Sequence, residues 1–149
     1  MVNSVMRKAV LLLLLVSCHL PSTRGQNQGI KGQVFWIGEN KMPSEDVKKS
    51  PHHGVQRELL IYELTKLDEV TREGVFFSAV KSKLVLRITT KKDGSYKVRL
   101  PEGRYSVFVR EPNGLYANLF EKDGSINPIT VKSKNYSWLT ITIDYQAAY

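Results

Sequence analysis

The stretch DGSYKVRLPEGRYSVFV, residues 93–109, decides the fold of this 149-residue chain. Two turn sequences, Asp93-Gly94 and Pro101-Glu102-Gly103, each precede residues that alternate between apolar and polar. Because neighbouring side chains on a β-strand point to opposite faces, the alternation predicts two strands, each with one buried face. The residues predicted to be buried are Tyr96, Val98 and Leu100 in the first strand and Tyr105, Val107 and Val109 in the second. The short turn between them predicts that the two strands pair as a hairpin.

Further short strands are predicted on both sides of this stretch. They cover residues 30–37, 57–64, 75–80, 84–90, 129–132 and 138–145. The strand at residues 57–64 has apolar residues on both faces, so it is predicted to be central or covered by the next segment. Thr65 and Asp68 have the spacing of a helix start, which predicts one or two helical turns that end by Gly74. About seven short strands separated by turn residues indicate an all-β fold, an antiparallel Greek-key β-sandwich with one short helical insertion.

The same alternation predicts which residues of the first and last strands are buried. The core should contain Ile30, Gly32, Val34 and Trp36 from the first strand, and Leu139, Ile141, Ile143 and Tyr145 from the last. Two segments without periodicity, residues 38–56 and 115–128, are the long loops in which we look for specificity, because functional residues are concentrated in such loops.

The N-terminal segment, residues 1–25, has the layout of a secretory signal peptide. Arg7 and Lys8 precede an apolar run that is too short for a permanent membrane span. Two cleavage sites remain open. Leu15-Val16-Ser17-Cys18 has the form of a bacterial lipobox, with Cys18 as the lipidated residue, whereas cleavage before Gln26 would discard this cysteine. The predicted location is therefore the periplasm, or the outer membrane through a lipid on Cys18.

The folded domain is predicted to comprise residues 26–149 and to have no disulfide, because Cys18 is the single cysteine of the chain. Gly32-Gln33-Val34, followed by TTKKDGSYKVRLPEGRYSVFV at residues 89–109, resembles the carboxypeptidase regulatory-like domain. The resemblance implies the transthyretin, or prealbumin-like, sandwich and a non-catalytic role. The later runs EPNGLYANLF and INPITV resemble small exported proteins of Bacteroidota that consist of this domain alone. The chain departs from the common form of this family at residues 38–56 and 65–83, which are longer than the segments that join the corresponding strands in that form.

The sequence contains no recognisable catalytic motif, so it predicts no enzyme and no cofactor. The His-x-x-Glu pair of a zinc carboxypeptidase is absent, and the adjacent His52 and His53 are more typical of a solvated loop than of a metal site with Glu45 and Asp46. The chain also ends in Tyr-Gln-Ala-Ala-Tyr, which differs from the C-terminal Tyr-Arg-Gly-Ser of the transthyretin-like hydroxyisourate hydrolases. A hydrolase of that type is the third and least favoured hypothesis.

Two binding hypotheses remain, an interaction module for an envelope protein or polysaccharide and a carbohydrate-binding domain. The net charge of +8 favours anionic partners, but export argues against nucleic acid. Strand alternation turns two aromatic residues, Phe108 and Trp138, away from the predicted core. These two residues are the predicted ligand surface, unless loops cover them. Contact with a membrane is expected only through a lipid on Cys18.

Overall fold

Eleven β-strands make up the fold in a computed structural model that describes residues 27–38 and 53–146. The strands are β1 (Gly29–Trp36), β2 (His53–Gly54), β3 (Glu58–Glu63), β4 (Thr71–Glu73), β5 (Phe76–Ser78), β6 (Leu84–Thr89), β7 (Ser95–Arg99), β8 (Gly103–Glu111), β9 (Gly114–Tyr116), β10 (Pro128–Val131) and β11 (Tyr136–Ile143). The predicted leader, Cys18 and most of the loop containing Glu45, Asp46 and His52 lie outside the described residues.

The strands form two sheets. The four-stranded sheet has the order β11-β1-β2, with β7 also paired to β1, and the seven-stranded sheet has the order β4-β5-β9-β8-β3-β6, with β10 paired to β8. The all-β sandwich is confirmed. It has more strands than the roughly seven predicted, because several strands span only two or three residues. The described strand pairs are antiparallel except for β1 with β11, which is parallel.

The main core lies between the two sheets and is built by the predicted alternation. The four-stranded sheet contributes Ile30, Val34, Tyr96, Leu100, Leu139, Ile141 and Ile143, and the seven-stranded sheet contributes Leu59, Ile61, Tyr105, Val107, Val109, Tyr116 and Val131. The inward positions predicted for β1 and β11 are confirmed, except that Trp36 and Tyr145 are only half-buried and pack against this core. The predicted helical segment is a single 3-10 turn, Leu67–Glu69, in which the Lys66 backbone N–H donates to the Glu69 carboxylate at 2.8 Å.

The predicted hairpin between residues 95–100 and 103–109 is wrong. β7 pairs with β1 in one sheet, whereas β8 pairs with β3, β9 and β10 in the other. Pro101 has no N–H to continue a ladder, so the pairing of β7 stops and the chain crosses to the facing sheet. The Tyr105 hydroxyl donates to the Pro101 carbonyl at 2.9 Å and fixes this crossover, as in the tyrosine corner of Greek-key sandwiches. Both strands face the same core, so alternation predicts their buried faces correctly while giving no information about their partners.

A second, smaller core covers the opposite side of the seven-stranded sheet. It contains Leu60, Phe77, Phe108, Leu115, Ala117 and Ile126. β3 and β8 are therefore buried on both faces, as was predicted for β3. No helix within residues 27–38 and 53–146 is long and apolar enough to cross a bilayer.

Candidate functional site

Aromatic and basic side chains occupy the outer face of the four-stranded sheet. Strand alternation turns five of them away from the core, and we call them the Trp138 face: Lys31 on β1, Lys97 and Arg99 on β7, and Tyr136 and Trp138 on β11. The inward neighbours Ile30, Val98 and Leu139 pack in or against the main core, which fixes the orientation of the strands. The Trp138 face is thus determined by the same pattern that builds the fold.

The register of the sheet places three of these residues in one row across the strands. Trp138 is the partner of Lys31 in the parallel pair, and Lys31 is the partner of Lys97 in the antiparallel pair. Adjacent strands lie about 4.8 Å apart, so the row from Trp138 to Lys97 spans about 10 Å. An aromatic ring and two ammonium groups consequently line a nearly flat surface.

The aromatic side chains of the Trp138 face are held in place from the side. Trp138 is 60% exposed, and its indole Nε1–H donates to Thr140 Oγ1 at 2.8 Å. Lys97 Nζ lies 4.3 Å from the centroid of the Tyr136 ring, within the range of a cation–π interaction. A large apolar ring that is both exposed and oriented is a suitable platform for stacking, since little conformational entropy is lost when a ligand binds it.

The face is electropositive within the described residues. Lys31, Lys97 and Arg99 form no ion pair with another described residue, and the outward positions of β1, β7 and β11 include no acidic residue. Two acids adjoin these strands in sequence. Asp93 lies in the turn before β7, where hydrogen bonds from the Ser95 hydroxyl and backbone lower the pKa of the Asp93 carboxyl. Asp144 directly follows β11 and accepts a hydrogen bond from the Tyr116 hydroxyl. The uncompensated charge favours an anionic ligand.

One of the two predicted surface residues lies on this face, and the other does not. Trp138 is exposed as expected. Phe108 is fully buried in the second core, with its ring centroid 5.6 Å from that of Tyr62 and 5.9 Å from that of Phe77, so its placement on a ligand surface is wrong. Leu115 and Ala117, from the loop segment named above, help to bury it, as the alternative interpretation held.

Lys31 and Tyr136 were not among the residues predicted from the sequence to form the ligand surface. Both occupy outward positions by the same alternation that identified Trp138. Their proximity to Trp138 and Lys97 depends on the pairing of β1 with strands that are distant in sequence, and no local pattern gives that pairing. The signal in the sequence that could have identified Tyr136 is its position two residues before Trp138, which places both side chains on the same face of the strand.

A second feature is a cleft of about 680 Å³ at one end of the sandwich, between Trp36, Arg57, Glu111 and Tyr145. The Glu111 side chain is only 2% exposed and uses both carboxylate oxygens. Oε1 accepts from Arg57 Nε at 2.6 Å, and Oε2 accepts from the Tyr145 hydroxyl at 2.8 Å. Burial raises the pKa of the Tyr145 phenol, and the neighbouring Glu111 carboxylate raises it further.

These contacts connect the two sheets at this end of the sandwich. The Arg57 guanidinium lies 5.5 Å from the Trp36 ring centroid, and the Tyr145 ring packs edge-on against Trp36 at 5.5 Å. Since both oxygens of Glu111 are engaged, the carboxylate has a clear structural role. His53, in β2, is exposed and pairs through its backbone with Trp36.

The part of the chain that the structure describes contains no group of three or more His, Cys, Asp or Glu side chains that could hold a metal ion. The chain shows no significant match to a protein-family profile, to a curated protein sequence or to a solved structure.

Proposed function

We propose that this protein is an exported, non-enzymatic β-sandwich that acts as an accessory or interaction module of the bacterial cell envelope. The proposal includes membership of the carboxypeptidase regulatory-like group, supported by the sequence resemblance at residues 89–109. The single observation that supports a binding role is the Trp138 face, which combines an oriented, 60% exposed indole with uncompensated basic side chains. Tryptophan is enriched at interaction surfaces, because its ring is apolar while its N–H can form a hydrogen bond.

A carbohydrate-binding domain is the second candidate. It is favoured by the position of Trp138 and Tyr136 on the same face of β11, two residues apart. Sugar rings stack against such aromatic side chains, and polar neighbours such as Thr140 can hydrogen-bond to ring hydroxyls. The two candidates share one surface and differ in the partner that occupies it.

The test of a binding role is retention of the protein on envelope material from the producing organism. Replacement of Trp138 by alanine should leave the fold intact and reduce retention. The matched control is Phe120→Ala, which removes another exposed aromatic ring, 44% accessible, from the seven-stranded sheet side of the molecule. Equal retention of the wild-type protein and the Trp138 variant would contradict the proposal, as would an equal loss in the Phe120 variant.

The proposed location has a separate test. If Cys18 is lipidated, Cys18→Ala should leave the protein either with an unprocessed leader or soluble instead of membrane-associated, and detergent partitioning measures the change. Mass spectrometry of the mature N-terminus distinguishes the two cleavage sites, since a free or cyclised Gln26 would exclude the lipoprotein.

A further inference from the structure

We infer that the Trp138 face binds an acidic polysaccharide, with sugar rings stacked on Trp138 and carboxylate or sulfate groups paired with Lys31 and Lys97. The inference rests on the proposed binding function and names the ligand class. It depends on three structural features: the exposed ring, the row of charges beside the ring, and the absence of an acid at the outward positions of β1, β7 and β11.

The position of Lys31 opposite Lys97 is the main argument for an anionic ligand. Both lysines are exposed and are direct cross-strand partners on one face. Like charges in this position destabilise a sheet, whereas an opposite-charge pair would stabilise it. The Lys97 ammonium lies 4.3 Å from the Tyr136 ring centroid, a contact that leaves its positive charge in place. An anion that pairs with both lysines removes the repulsion between them, which favours the complex over the free protein.

The shape of the face argues for a polymer rather than a small ion. Trp138, Lys31 and Lys97 lie in a straight row, about 10 Å long by the usual strand spacing. Arg99 and Tyr136 flank the row on the two outer strands, and both are partners of Gly29. The Lys97 side chain extends from β7 over the Tyr136 ring on β11, so aromatic and basic groups are interspersed on this face. A chain of linked sugars with regularly spaced acidic groups can stack on Trp138 and form ion pairs with the two lysines beside it.

An exposed positive charge elsewhere on the molecule serves as a control for the Trp138 face. Arg87 is exposed on β6 at the outer side of the seven-stranded sheet, and Val85 is its outward neighbour two residues away. Arg87 therefore provides a matched control, because its replacement removes one exposed positive charge without altering the Trp138 face.

The experiment measures binding of the secreted protein to polygalacturonate, to its methyl ester and to dextran, with duplex DNA and anionic phospholipid vesicles as competitors. We expect binding to polygalacturonate only. Lys31→Gln combined with Lys97→Gln, and separately Trp138→Ala, should each weaken binding on the order of tenfold, which corresponds to about 1.4 kcal/mol. Arg87→Gln should leave the affinity within about twofold, as expected for a charge outside the site.

A second readout separates binding from folding. Lys31→Glu places an acid opposite Lys97, so it should raise the melting temperature while it abolishes binding to polygalacturonate. A fall in melting temperature for this variant would overturn the argument from charge repulsion.

Each remaining outcome also has a defined meaning. Equal binding of the methyl ester would overturn the acidic class and leave a carbohydrate-binding domain. Tighter binding to DNA or vesicles would overturn the identification of the ligand as a polysaccharide. If no polysaccharide binds but Trp138→Ala still loses retention on envelope material, the inference fails and the proposed interaction module stands.

Discussion

Truncation of Phe108 to alanine tests the two-layered packing of the seven-stranded sheet. Phe108 is fully buried in the centre of β8, where its ring makes edge contacts with Tyr62 and Phe77. β8 pairs with β3 and β9 on either side, so the backbone cannot close over the space that the ring leaves. The substitution should therefore create a cavity between the sheet and the residues that cover it.

The expected cost follows from measured truncations of this kind. Removal of a buried phenylalanine ring costs about 3 to 5 kcal/mol, from the loss of apolar burial and the residual cavity. That is a large part of the roughly 5 to 15 kcal/mol that stabilises an ordinary domain. Trp138→Ala is the matched control, because this ring is 60% exposed and a surface substitution usually changes stability by about 0.5 kcal/mol or less.

Urea denaturation, followed by circular dichroism, gives the free energy of unfolding of both variants. If Phe108→Ala is too unstable to purify, Phe108→Leu retains part of the volume and should lie between the wild-type protein and the alanine variant. A loss below about 1 kcal/mol for Phe108→Ala, or losses of equal size for the two aromatic truncations, would refute the assignment of one inward and one outward ring.

Two further predictions concern the interior of the four-stranded sheet. Gly32→Ala should destabilise the protein by about 2 kcal/mol or more through overpacking, because a Cβ at this position would lie 1.8 Å from the Leu139 carbonyl oxygen. Thermal melts should show a far smaller cost for Gly38→Ala, where the Cβ would lie 3.4 Å from the nearest atom. Burial raises the pKa of the Tyr96 phenol. The stability that this phenol contributes is therefore full below its unfolded-state pKa of about 10 and is lost as the pH rises further. The stability of Tyr96→Phe should depend less on alkaline pH than that of the wild-type protein, as measured by urea melts at pH 8 and 11.

Alternation predicted most of the buried faces because it depends only on neighbouring residues. Ile30 and Val34, or Leu139 and Ile141, face inward wherever their strands are placed in a sandwich. The failure at Phe108 has a visible cause in the sequence. Between Tyr105 and Val109 the only polar residue is Ser106, which is the pattern of a strand buried on both faces and was recognised only for residues 57–64.

Strand partners were less accessible to sequence analysis. β7 and β8 are separated by a short turn that suits a hairpin, yet the chain crosses between sheets at Pro101. The cross-strand pair of Lys31 and Lys97 likewise joins residues far apart in sequence, so the charge row beside Trp138 could not be inferred from either segment. Trp138 itself was found from local alternation, because its neighbours Leu139 and Ile141 identify the buried face.

The central claim, that the Trp138 face binds the ligand, is tested most directly by the indole N–H resonances of the two tryptophans in ¹H–¹⁵N spectra. Trp138 lies on the proposed face, whereas Trp36 lines the cleft at the end of the sandwich. Titration with polygalacturonate oligomers should shift the Trp138 indole signal and leave that of Trp36 in place. A shift of the Trp36 signal with no change at Trp138 would place the ligand in the cleft and contradict the account.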